Sequence, residues 1–238
     1  LTALADLEKA SALELLTWAI GSFGHSFGIT TSFQKEGMAV IDIAVRIDAR
    51  VRVLTLDTGR LPQETFQMIE TVRQRYGIAV EVVGPDEAEV SRMVTEHGPN
   101  LFYRSEELRL LCCEVRKTRP LERKLGEFRA WATGLRRGQA AARAGIRKVE
   151  DSGGKWKLNP LADWTDADLE EYTRRNDVPV HPLYAAGYTS IGCAPCSRAI
   201  QPGEDPRAGR WWWEIDSQKE CGIHFLPDGS VRRLKSGN

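Results

Sequence analysis

At 238 residues with 42% hydrophobic side chains, the chain suits one or two domains and can bury a core, which excludes disordered and collagen-like structure. Its 33 basic and 33 acidic residues cancel, so the excess of Lys and Arg that marks nucleic-acid binding is missing. No apolar run nears the roughly 18 residues of a membrane span, and Asp6, Glu8 and Glu14 interrupt the N-terminal stretch as a secretory signal would not allow.

Leu4, Leu7, Leu15, Leu16 and Ile20 recur near helical spacing and predict a helix over 4–20. Ile29 to Phe33 reads as a short strand, and Met38 to Ile47, after Gly37, as an apolar helix. Val51 to Leu56 predicts a second strand ending at Asp57-Thr58-Gly59. Pro62 opens a helix to about Tyr76, which Gly77 closes. A third strand over Ile78 to Val83 precedes a helix from Asp86 to about His97. Ser105 caps a helix that carries Cys112 and Cys113. Phe128 to Thr133 and Lys155 to Leu158 are further strands, and Thr165 with Asp168 forms a capping box for a helix ending near Asn176.

Strands and helices that alternate in this way argue for an α/β domain with a mostly parallel sheet. Such sheets bind ligands beyond the carboxyl ends of their strands. Those places read Ser32-Phe33-Gln34-Lys35-Glu36-Gly37, Asp57-Thr58-Gly59 and Gly134-Leu135-Arg136-Arg137. From about Asp177 periodicity fades. The expected division is an α/β domain over 1–200 and a C-terminal tail over 201–238.

Charge is unevenly distributed. Residues 104–148 hold thirteen basic against five acidic side chains, and residues 57–96 hold eight acidic against four basic ones. A basic segment in a neutral protein suggests a local anion site; solvated helix faces are the competing explanation.

Four of the five cysteines form the pairs Cys112-Cys113 and Cys193-x-x-Cys196. With no secretory signal, structural disulfides are disfavoured and a cytoplasmic location is expected. A redox dithiol, a four-thiolate zinc ion and an iron–sulfur cluster all remain open on spacing alone, although adjacent cysteines are unusual for zinc. Cys221 stands apart. A lone cysteine is often an inert small residue, but Lys219 and His224 favour a thiolate and Gly222 allows close approach.

Taken together, Ser32-Phe33, Leu56-Asp57-Thr58-Gly59, Cys112-Cys113, Gly134-Leu135-Arg136-Arg137, Cys193-x-x-Cys196, Arg210-Trp211-Trp212-Trp213-Glu214 and Glu220-Cys221-Gly222-Ile223-His224 resemble, in this order, the assimilatory sulfonucleotide reductases. The paired cysteines are similar to those of the adenylyl-sulfate (APS) reductase branch. The resemblance covers roughly residues 27–225 and implies an adenine-nucleotide α-hydrolase type of α/β fold. It also implies a 4Fe–4S cluster on Cys112, Cys113, Cys193 and Cys196. ATP-using relatives carry a Ser-Gly-Gly-x-Asp-Ser loop, which the Ser32–Gly37 stretch lacks, so pyrophosphate release from ATP is disfavoured. The family's Ser after Gln139 is replaced here by Ala140.

By the same resemblance, Ser32, Phe33, Gln34, Asp57, Thr58 and Gly59 would hold the adenosine. Lys117, Arg143, Arg207 and Arg210, with Arg136 and His224, would face the phosphosulfate. Cys221 would be the nucleophile, forming an S-sulfonate that thioredoxin or a similar dithiol protein discharges. The chain has no cysteine after Cys221, so the reductant is expected to be a separate protein. A homo-oligomer is compatible with this picture. The rival substrate is 3′-phosphoadenylyl sulfate (PAPS), and the rival of another class is a zinc-stabilised nucleotide-binding module without catalysis.

Overall fold

The computed structural model describes residues 4–140, 143–151 and 154–214, together with the short segments 224–225 and 231–232. A six-stranded sheet in the order β3-β2-β1-β4-β6-β5 organises the chain. Its strands are β1 (Phe27–Thr31), β2 (Arg52–Leu56), β3 (Val80–Val83), β4 (Ala130–Ala132), β5 (Val149–Asp151) and β6 (Trp156–Leu158). All neighbours are parallel except β5 with β6. The α/β expectation with a mostly parallel sheet therefore holds.

The two-residue alternation of the strands sorts side chains to two faces. Ile29, Val53, Ala130 and Ala132 join one core, while Leu54 and Trp131 join another with Phe128. The first face is covered by α2 (Ala12–Phe23), α3 (Lys35–Ile47) and α4 (Gln63–Tyr76), the second by α7 (Arg119–Leu125). No described helix is long and apolar enough to cross a membrane.

Local signals place most helices as expected. Gly77 ends α4 at φ 66 in the left-handed region, and Asp86 caps α5 (Glu87–His97) by accepting from Glu89 N at 3.0 Å. Ser105 accepts from Leu108 N at 3.2 Å at the start of α6 (Glu106–Cys113), and the Thr165–Asp168 box opens α8 (Asp166–Arg175).

Three expectations change. The helix over 4–20 is two helices, α1 (Leu4–Lys9) and α2, because Ser11 and Glu14 form a capping box that starts a new one. The first strand ends at Thr31, not Phe33: Thr31 Oγ1 accepts from Phe33 N at 2.9 Å and holds Phe33 at φ 56. The cysteine helix does not run on as α-helix but widens at Glu114–Thr118 into a π-helical turn, a feature often found at functional sites.

Candidate active site

Strand order reverses direction at β1 and β4, and there a cleft of about 900 Å³ opens at the carboxyl ends of the strands. Ser32 and Gln34 line it. Gln34 Nε2 donates to Ser32 Oγ at 3.0 Å, and Gln34 Oε1 accepts from Ile191 N at 2.9 Å. The loop after β1 is thereby tied to the segment leading into Cys193. Phe33 is placed elsewhere: its ring is fully buried in the core beneath the loop. It anchors the loop rather than lining the cleft.

Of the Asp57–Gly59 turn, Thr58 lines the cleft. Asp57 Oδ1 accepts from Gly59 N at 2.8 Å, closing an Asx turn with Gly59 at φ 68. This turn connects two regions. Thr58 O accepts from Arg116 Nη1 at 2.8 Å, the Thr58 hydroxyl meets Cys193 Sγ at 3.2 Å, and Arg60 O accepts from Ala194 N at 2.8 Å. Asp57 and Gly59 shape the connection between cleft and cysteines.

Lys117, Arg143, Arg207 and Arg210 all border the cleft. Arg143 Nη1 donates to Gln139 Oε1 at 2.5 Å, which also accepts from Arg136 N at 3.1 Å, so the loop is pinned without the missing serine. Arg136 borders the cleft too but is committed to its wall. Its guanidinium lies 2.9 Å from Glu36, 2.5 Å from Asp166 and 3.1 Å from Trp164 O. Two carboxylates compensate its charge, so Arg136 orders the cleft instead of offering net charge to an anion. Sequence could not show this, since Glu36 comes from the opposite side of the switch point.

Arg210 is buried, and its Nε donates to Cys196 O at 3.2 Å while its Nη1 reaches Ser190 Oγ at 3.4 Å. Its guanidinium stacks 4.5 Å from the Trp211 ring centre. The backbone of Gly192 passes against that guanidinium: a Cβ there would stand 2.4 Å from Arg210 Nη2. Gly192→Ala should therefore displace Arg210 and weaken anion binding by about tenfold. Calorimetric titration with AMP and inorganic sulfate checks this, and unchanged affinity for both would remove Arg210 from the anion site.

The cysteines converge. Cys112 and Cys113 close α6, and Cys193 and Cys196 bound a short 3-10 turn. All four are buried, form no disulfide and border one gap of about 10 Å³ with Arg60, Arg109, Arg116 and Lys117. Burial pushes the Cys112 thiol up, against the field of Arg116. Burial pushes the Cys196 thiol up to about 12, with Cys193 adding to the effect and Lys117 and Arg210 opposing it. Among the described residues, no three His, Cys, Asp or Glu side chains stand close enough together to hold a single metal ion, so the four thiols surround a gap rather than a one-ion site.

Two buried donors at the same gap, Arg116 Nε and Trp211 Nε1, have no hydrogen-bond partner. Such orphans cost about 1–3 kcal/mol each unless an acceptor meets them. Four soft sulfur donors, cationic neighbours and unpaired N–H groups make chemical surroundings for a thiolate-held anionic centre.

The tryptophan run divides. Trp211 is fully buried between Arg109 and Arg210, Trp213 Nε1 donates to Phe102 O at 3.1 Å, and Trp212 is 40% exposed beside Tyr103. Arg109 Nε also pairs with Glu214 at 2.6 Å, with both side chains nearly inaccessible. Arg109→Met leaves the Glu214 carboxylate buried without that partner and should destabilise the fold by about 3–5 kcal/mol. Urea unfolding measures it; a change of a few tenths would mean that the pair contributes little.

Cys221 lies outside the described residues, as does the side chain of His224, whose backbone opens β7 (His224–Phe225) against β8 (Val231–Arg232). The structure adds cleft residues that sequence reasoning did not single out: Thr65, Tyr184 and Ser190. Tyr184 Oη accepts from Lys35 N at 3.4 Å, and Lys35 Nζ sits 5.0 Å above its ring. The segment that carries Tyr184 and Ser190, Pro182–Tyr184 and onward, is built of short turns with no periodicity to reveal it.

Residues 27–199 match the phosphoadenosine phosphosulfate reductase domain. The adenosine 5'-phosphosulfate reductase of Burkholderia cepacia is 47% identical over 219 residues, covering 91% of this chain and 88% of that protein. That of Allochromatium vinosum is 44% identical over 218 residues, covering 91% and 85%. The chloroplastic 5'-adenylylsulfate reductase 3 of Arabidopsis thaliana is 41% identical over 98% of this chain, which spans 52% of that longer protein. Among solved structures, the PAPS reductase of Candida auris in its phosphate complex aligns with a TM-score of 0.67 at 27% identity, over 80% of this chain and 94% of that one. The FMN adenylyltransferase of Candida glabrata, at TM-score 0.56 and 12% identity, shares the fold alone. A domain match across most of the chain and relatives at this level of identity lead to one conclusion: the chain belongs to the phosphoadenosine phosphosulfate reductase domain family.

Proposed function

We propose that this protein reduces adenylyl sulfate to sulfite and AMP in sulfate assimilation, with a thioredoxin-type dithiol protein as reductant and Cys221 as nucleophile. The observation that carries the reading is Lys117, which borders both the nucleotide-sized cleft and the gap ringed by four thiols. A cleft near 900 Å³ is ample for a nucleotide, and Lys117, Arg143, Arg207 and Arg210 offer cationic groups for a phosphosulfate.

The Cys221 thiolate attacks the sulfate sulfur, the bond from that sulfur to the bridging oxygen breaks, and AMP leaves with the oxygen and its electron pair. Cationic side chains in the cleft neutralise the approach of one anion to another. The product is Cys221 S-sulfonate, a covalent intermediate. A thiolate of the reductant then attacks Cys221 Sγ, and sulfite leaves with the sulfur–sulfur electron pair. The reductant's second thiol resolves the mixed disulfide, leaving the reductant oxidised and Cys221 restored. A reducing compartment such as the cytoplasm suits this exchange.

Cys112, Cys113, Cys193 and Cys196 would hold a 4Fe–4S cluster, a fit supported by the orphaned N–H groups of Arg116 and Trp211. Bound there, it would supply negative charge and a covalent tie between α6 and the Ala194–Cys196 turn, while thiols supply both electrons. Lys117 stands between the two sites and is positioned to respond to both charges.

Relatives at 44–47% identity are named as reductases of the 5'-phosphosulfate, whereas the PAPS reductase structure is 27% identical. APS is accordingly the proposed substrate. Purified holoprotein with thioredoxin should form sulfite from APS at least about tenfold more efficiently, by kcat/KM, than from PAPS. The reverse preference would reassign the substrate.

A further inference from the structure

Thr65 lies in the first turn of α4 on the wall of the cleft, and its hydroxyl is engaged unlike those of several other helical threonines. Thr17, Thr71 and Thr173 donate to the carbonyl four residues back, at 2.7, 2.9 and 2.7 Å. Thr65 Oγ1 instead meets His181 Nε2 at 3.1 Å, with both side chains buried.

The direction of that bond follows from the other ring nitrogen. His181 Nδ1 accepts from Leu183 N at 3.3 Å and so carries no proton. Burial holds the imidazole below its ordinary range, with Glu64 pulling weakly the other way, so the ring is neutral near pH 7. Its one proton is then on Nε2, and Nε2–H donates to Thr65 Oγ1. The hydroxyl keeps its own proton for a further acceptor. Among the described residues none takes it, and the space in front of Thr65 is the cleft.

We propose that Thr65 donates a hydrogen bond to the bound adenylate and that His181 is the positioning residue that directs it. The inference rests on reading the cleft as the nucleotide site. The acceptor is a ribose or phosphate oxygen or a ring nitrogen of the nucleotide. His181 acts only through Thr65, since it stands behind the wall and does not itself border the cleft.

Calorimetric titration of the purified holoprotein with AMP tests both parts. Thr65→Val keeps the side-chain shape and removes the donor, so affinity should fall by roughly 3- to 10-fold, while Thr65→Ser should stay near wild type. His181→Ala should lose part of the same factor, and the double variant Thr65→Val/His181→Ala should bind no worse than Thr65→Val. Parallel titrations with adenosine locate the acceptor: loss for AMP alone places it on the phosphate, and equal loss places it on the nucleoside. Wild-type affinity in Thr65→Val, or losses that multiply in the double variant, would overturn the proposal. If His181→Ala fails to fold, the Val and Ser variants of Thr65 decide the donor role and His181→Asn replaces it in the cycle. Failure of the wild type to bind AMP would instead reject the reading of the cleft.

Discussion

Cys221→Ser is expected to lower sulfite formation at least about 1,000-fold while leaving the iron bound by the proposed cluster unchanged. Serine retains the shape but not the nucleophile: a hydroxyl is almost wholly protonated near neutral pH, and its oxygen cannot be discharged by thiol–disulfide exchange. The four remaining cysteines border one buried gap. Cys196→Ser should give the opposite pattern, with iron lost together with activity. The serine oxygen is a harder, poorer ligand for iron than the cysteine thiolate. Iron analysis and sulfite assay on the two variants check the division. Loss of iron from Cys221→Ser would show that the cysteines have been assigned wrongly.

Arg210→Ala and Lys117→Ala should each reduce kcat/KM for APS by about 10- to 100-fold, the range expected for losing a charge-assisted contact of roughly 1.5–3 kcal/mol. The two should differ in what else they disturb. Arg210 also holds Cys196 O and stacks on Trp211, so its loss should loosen the Ala194–Cys196 turn and speed the loss of iron. Arg210→Lys should restore only part of the rate, because an ammonium group neither forks nor stacks as a guanidinium does. Lys117 is reached from both sites, so Lys117→Ala should reduce turnover with less effect on AMP affinity. Steady-state kinetics beside AMP titration separate these outcomes. A wild-type rate in either variant removes that residue from the site.

The features legible in sequence are those whose causes are local. Pro62 and Gly77 bound α4, and Ser105 and the Thr165–Asp168 pair cap their helices within four residues of themselves. Each cysteine pair was legible as a short motif, but that the two pairs share one site followed only from the family resemblance, and the structure sets all four around one gap. Phe33 looked like the end of a strand because an apolar aromatic residue suits one, yet the Thr31 hydroxyl turns its backbone into the left-handed region. Arg136 and Arg210 are the same residue type at strand or loop ends, and only remote partners distinguish them. Glu36 compensates Arg136 across 100 positions, while Arg210 meets Cys196 O and Trp211. The Thr65–His181 contact spans 116 positions, beyond the reach of any spacing rule. The π-helical turn after Cys113 left no sign in a segment of ordinary helix-forming residues.

Mixing the holoprotein with APS in the absence of any reductant shows whether Cys221 attacks before an electron donor arrives. Covalent attack by Cys221 needs no electron donor, so about one AMP per active site should be released before the reaction stops. The intact protein should gain the mass of one sulfonate group, located on the peptide that contains Cys221, and thioredoxin should then release sulfite and restore the original mass. AMP release only when thioredoxin is present, with no adduct on Cys221, would contradict the account and mean that the reductant attacks APS itself.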